Sequence, residues 1–186
     1  MTSSNTYPQD VYFDIETLIN VAQPSSILLI GDQTSDFLDT YREQKQILNQ
    51  SCTIDCIRND EIDSLAEVPR HDVAIAIDVF EHIDKQTGYQ LLSRLRDLLA
   101  QQYCIALPFC GPAQNSTTNS DSHESWLLTD LFGFALQRVA VYENAASDNS
   151  QQIGLFKYNI KDYKKTPDWL NSDNWANPEM WEKYRW

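Results

Sequence analysis

The sequence has no CxxC pair, no apolar run long enough to cross a bilayer, no basic excess, and only five glycines among its 186 residues. A spanning helix needs about 20 consecutive apolar residues, so a membrane-embedded chain is not expected. The opening stretch MTSSNTYPQD carries neither a basic segment nor an apolar core, so no signal peptide is expected and the expected compartment is the cytoplasm. Cys52, Cys56, Cys104 and Cys110 show no zinc-ligand spacing, which leaves buried, reduced thiols as the expectation. Fourteen basic residues stand against 27 acidic ones, a net charge of −13, and that argues against nucleic acid or an anionic membrane as partner. The five basic and five acidic residues from Lys161 onward cancel, so the whole excess lies in residues 1–160. Gly-x-Ser-x-Gly, the phosphate-binding loop and His-Glu-x-x-His are also missing, which removes support for the commonest hydrolase, nucleotide-binding and zinc-protease classes.

What is present is an alternation of short apolar strands with helical patterns. Val11, Ile15, Leu18 and Ala22 fall at helical spacing and predict an amphipathic helix ahead of the sheet. SILLIG is a buried strand stopping at Gly31. Phe37, Leu38 and Tyr41 then follow in a helical pattern, with Thr34 or Ser35 as its N-cap. CTIDCI is a second strand, and EIDSLAEV offers at most one short helix. KQTGYQLLSRLRDLLAQQ predicts a helix over 85–102, with Leu91, Leu92, Leu95, Leu98 and Leu99 on one stripe. YCIALPF is a further strand, residues 111–124 a long polar loop, and SWLLTDLFG a helix closed by Gly133. ALQRVAVYE and IGLFKYNI read as a late antiparallel pair. The alternation implies an α/β fold, a mostly parallel sheet between helical layers.

DVAIAIDVFEHID, residues 72–84, is the stretch with chemistry in it. Its apolar half is a strand buried on both faces, and Asp78 ends that strand, at the edge where open α/β sheets bind ligands. Glu81 and His82 follow at a strand-to-helix corner, where they can converge with Asp78. The alternative is that Asp78 caps the next helix, Glu81 is solvated near its N-terminus, and His82 packs unremarkably. His71 and His123 stand alone, and Cys110 has no sequence neighbour that would activate it.

SILLIGDQTSDFL, DVAIAIDVFEHID, the leucine-rich helix, YCIALP and FGFALQRVAVYE, taken in order, resemble class I S-adenosylmethionine-dependent methyltransferases over about residues 10–160. The ending NWANPEMWEKYRW looks like that of an uncharacterised bacterial family of methyltransferase-like proteins. The resemblance implies a three-layer Rossmann-like methyltransferase fold with a late antiparallel hairpin. It implies a cofactor site at Gly31, Asp32 and Asp78. It also implies that Asp78, Glu81 and His82 form the catalytic group. In quinone-biosynthesis O-methyltransferases a similar acid-x-x-Glu-His cluster is associated with Mg²⁺ or Mn²⁺, although no metal ligand is assigned here. Three departures stand out. The glycine-rich turn reads Gly31, Asp32, Gln33, Thr34, Ser35. Arg58 occupies the place of the acid that holds the ribose, leaving Asp60 as its substitute. Only 13 residues separate Arg58 from Asp72, too few for the family's third strand, which is expected to be missing. S-adenosylmethionine is therefore disfavoured in the family's standard pose.

Four of the five tryptophans, Trp169, Trp175, Trp181 and Trp186, fall in the last 18 residues together with Tyr184. Rings of this size bury about 150–250 Å² each. The expected organisation is a methyltransferase-like domain over 1–160 and an aromatic arm over 161–186. That arm is expected to pack on its own domain, or else to anchor a protein partner or a second copy. The expected function is partner or ligand binding by a non-catalytic or repurposed methyltransferase-like protein, the alternative being a divergent methyltransferase acting on a small molecule.

Overall fold

The computed structural model describes residues 7–31, 35–110, 125–143 and 152–163. Helix α1 (Gln9–Ala22) leads into strand β1 (Ser26–Ile30). A 3₁₀ turn (Ser35–Leu38) runs into α2 (Asp39–Ile47), then β2 (Thr53–Ile57). A 3₁₀ segment (Asn59–Ala66) precedes β3 (His71–Ile77). Helix α3 (Lys85–Arg94) passes through a π-helical turn (Leu95–Leu99) into β4 (Ala100–Cys110). β5 (Trp126–Leu127), α4 (Leu128–Gly133), β6 (Gln137–Glu143), β7 (Gln152–Asn159) and α5 (Ile160–Tyr163) complete the described chain.

Among the described residues the sheet has seven strands, in the order β2-β1-β3-β4-β7-β6, with β5 pairing the end of β4. The β2–β1, β1–β3, β3–β4 and β4–β5 pairs are parallel, and β7 is antiparallel to both β4 and β6. This is the expected α/β sheet with its late hairpin. No strand stands between Ile57 and His71, so β2 is the sheet's edge among the described residues. No helix among the described residues is long and apolar enough to cross a membrane.

Strand alternation divides the core in two. Ile27, Leu29, Ile75, Ile77, Cys104 and Ala106 face α1 and its Val11, Tyr12, Ile15 and Ile19. Leu28, Ile30, Ala74, Ala76, Ile105 and Leu107 face α3, Phe80 and Trp126. Strands without a solvent face read as continuous apolar runs, which is why SILLI and VAIAI are so uniformly branched and small.

Several boundaries differ from the sequence reading. The helix expected over 85–102 ends at Leu99, because Ala100 and Gln102 pair with His71 and Val73 in the sheet. The π turn also rotates Leu98 off the apolar stripe, leaving it 65% exposed. SWLLTDLFG is not helical throughout: Trp126 and Leu127 pair with Phe109 and Cys110 first. Gly133 belongs to α4, and the left-handed residue after it is Ala135 at φ 60°. Ser35 opens a 3₁₀ turn rather than capping α2, whose cap position is Leu38 without a side-chain bond, and Thr34 lies outside the described residues. Cys104 is buried as expected, but Cys56 is exposed and Cys52 only half-buried, because β2 lies at the edge. The loop over 111–124, His123 within it, and the arm beyond residue 163 lie outside the described residues.

Candidate functional site

The parallel strands bring Gly31, Arg58, Asp78 and the later half of β4 to one edge of the sheet. Gly31 continues the ladder, its N–H donating to the Ile57 carbonyl at 2.9 Å. Its φ is 128°, and a Cβ there would stand 2.0 Å from the Ile77 oxygen and 3.3 Å from Val79. A side chain is therefore excluded by the close approach of β1 to the end of β3.

Asp78 is buried and holds a left-handed backbone, φ 59°. Its carbonyl accepts from Asn59 Nδ2 at 2.8 Å, and its Oδ1 lies 3.2 Å from His82 Nε2. It does not cap the next helix. That cap is Asp84, whose carboxylate accepts from the Thr87 N–H at 3.0 Å and the Thr87 hydroxyl at 2.5 Å. Glu81 and His82 lie in the turn before α3, not in its first helical turn, and the turn is closed by the His82 N–H on the Val79 carbonyl at 3.0 Å.

Glu81 points inward, toward the start of the chain. The Tyr7 hydroxyl donates to one of its oxygens and lies 3.3 Å from the Ala106 carbonyl oxygen. The second carboxyl oxygen is buried with no hydrogen-bond partner among the described residues. Burial pushes the Glu81 carboxyl up to about 7, against smaller lowering effects from its own backbone N–H and from His82. Two proton arrangements follow from the geometry. With the carboxylate ionised, Tyr7 donates to it. With the acid neutral, Glu81 can donate to the Tyr7 oxygen while Tyr7 donates to Ala106. Tyr12 lies nearby on α1, buried, its hydroxyl pushed up to about 12 by burial and then by the Asp78 charge.

The structure thus brings Asp78 and His82 together beside Gly31, with the His82 side chain 53% exposed, and turns Glu81 away from them toward Tyr7. It does not bring in Asp60, whose side chain is 76% exposed and 3.8 Å from Arg58, also exposed. Asp32 lies outside the described residues. Among the described residues no three His, Cys, Asp or Glu side chains are grouped to hold a metal ion, since Glu81 turns toward Tyr7 while Asp78 and His82 pair separately. His71 belongs elsewhere: it is buried at the start of β3, with Nε2 2.8 Å from Asp55. Tyr7, Tyr12 and Asn59 were absent from the sequence reading. Their partners are far away in the chain, and no local pattern marks them.

The chain matches, over residues 9–186, the model of a family described as a family of unknown function, DUF6231. No curated protein matches the sequence. Solved structures do. TehB from Haemophilus influenzae is 9% identical at a TM-score of 0.50, covering 83% of this chain and 62% of that one. The methyltransferase domain of bacterial CtHen1 is 13% identical at a TM-score of 0.45, covering 83% of this chain and all of that one. Magnesium protoporphyrin IX methyltransferase from Synechocystis PCC 6803 is 10% identical at a TM-score of 0.44, covering 80% and 81%. At these identities the likeness is one of fold: a Rossmann-like, mostly parallel α/β sheet with a late antiparallel hairpin.

Proposed function

The chain belongs to DUF6231, a family of unknown function, and from that premise we propose a methyltransferase-like protein repurposed to bind a small ligand rather than to transfer a methyl group. The ligand presents a hydrogen-bond donor, a hydroxyl or an amine, to Glu81. The observation that carries this reading is the buried Glu81 oxygen without a partner among the described residues. An unsatisfied buried acceptor costs about 1–3 kcal/mol, and a carboxyl with a strongly raised pKa at the ligand-binding edge of an α/β sheet is a functional candidate.

Three features speak against S-adenosylmethionine in its standard pose. Gly31 has a packing reason of its own at Ile77. The exposed Arg58–Asp60 pair places no carboxylate inside the crevice. Between β2 and β3 there is a 3₁₀ segment where the standard fold has a helix and a strand. The raised Glu81 carboxyl favours one second reading, a divergent methyltransferase in which Glu81 takes the proton of a small acceptor's hydroxyl.

The test is thermal denaturation of the full chain and of Glu81→Gln across a panel of small amines and alcohols. A ligand at a hundred times its Kd adds about 2.7 kcal/mol, a rise of roughly 5–10 °C for a chain of this size. The reading expects such a rise in the unaltered protein and its loss in Glu81→Gln. Equal rises in both proteins, or none in either, contradict it.

A further inference from the structure

A concavity lies at the other end of the sheet, away from Asp78. It is a groove of about 250 Å³ between the last turns of α1 and the sheet, formed by Leu18, Val21, Ala22, Val73, Cys104 and Lys157 among others. Pockets that enclose small-molecule ligands run from about 300 Å³ upward, so this groove is sized for one large side chain. Val21 on its lip is 80% exposed. Opposite stands Lys157, which has no carboxylate within ion-pair distance among the described residues.

We propose that the groove is the seat of this chain's own C-terminal arm, with Trp169 as the anchor and Asp168 facing Lys157. Asp162, on α5, is part of the groove wall, and the described chain stops one residue later, at Tyr163. The 23 residues that follow hold four of the five tryptophans. Trp169 is six residues past Tyr163, within an extended reach of about 20 Å, so its ring can turn back onto α1 without leaving the neighbourhood. Asp168, directly before it, supplies the charge that Lys157 lacks. The family match runs through Trp186, which makes the arm part of the family's unit. Burying one indole covers about 150–250 Å², enough to close a groove this small.

The arm also carries the reporter, because trypsin cuts after Lys164 and Lys165. The experiment uses the full chain and compares cleavage there in Val21→Glu, Trp169→Ala and Lys157→Glu, with Phe132→Glu on α4, which packs on the other face of the sheet, as an exposed apolar control. Circular dichroism checks that each variant is folded; Val21 and Phe132 are exposed, so these two do not disturb the core. Each groove variant is expected to speed cleavage on the order of tenfold by freeing the arm. The Val21→Glu, Trp169→Ala double variant should go no faster than either single one, because both remove the same contact. The control should leave the rate unchanged. Unchanged cleavage in Val21→Glu overturns the proposal. So does protection that fades on dilution while the protein dissociates, since that places the arm on a second copy.

Discussion

Replacing Glu81 by glutamine should stabilise the protein, and by an amount that grows with pH. In the fold the carboxyl is pushed from 4.5 to about 7, mainly by burial. A carboxyl whose folded pKa is raised takes up a proton on folding between those two values. Its contribution therefore falls as pH rises, and the penalty is complete above pH 7. At about 1.36 kcal/mol per pH unit the full penalty is about 3 kcal/mol, of which roughly 2.5 develops between about pH 5 and about pH 8. Glutamine keeps the shape and can still bond Tyr7, but it has no charge to desolvate. The assay is urea denaturation of both proteins at those two pH values. Subtracting variant from wild type cancels every other titrating group. The expected result is a stability gap favouring Glu81→Gln that widens by about 2.5 kcal/mol from the lower pH to the higher. A gap that stays constant, or narrows, would refute the burial argument for Glu81. A residue that destabilises its own fold is a candidate for a role outside folding.

Two further outcomes test the packing that positions the site. Gly31→Ala puts a Cβ 2.0 Å from the Ile77 oxygen at a φ of 128°, and a loss of about 3 kcal/mol or more is expected in urea denaturation. Leu95→Ala and Leu98→Ala should separate clearly under the same assay. Leu95 is fully buried and its truncation should cost about 2–5 kcal/mol, whereas Leu98 is 65% exposed and should change stability by less than about 0.5 kcal/mol.

The fold was legible where burial acts on contiguous residues. VAIAI and SILLI announce strands covered on both faces, and the 13 residues between Arg58 and Asp72 leave no room for a further helix and strand. The Asp78–His82 contact was legible because a strand end and a tight turn are local events, whereas the inward turn of Glu81 was not. The rest depends on distance along the chain. Tyr7 meets Glu81 across 74 residues and lies beside Ala106 across 99, and a lone tyrosine in a polar stretch gives no sign of either. Gly31 invited a cofactor argument, while a Cβ there would first meet a backbone oxygen of a strand 46 positions later. The leucines of 91–99 fit a helical stripe, yet the π turn that ends the helix is set by the pairing of Ala100 with His71. Asp60 resembled a rescue for the ribose acid on sequence position alone, and the local 3₁₀ geometry turns it to water beside Arg58.

The central claim is that the methyltransferase fold here serves a ligand other than the standard cofactor. Calorimetric titration of the folded protein with S-adenosylmethionine and S-adenosylhomocysteine, with and without Mg²⁺, tests it most directly. The account predicts no binding heat at millimolar ligand. Micromolar affinity for either compound would contradict it, and would make Glu81 the base of a methyl-transfer reaction whose acceptor is then the quantity to find.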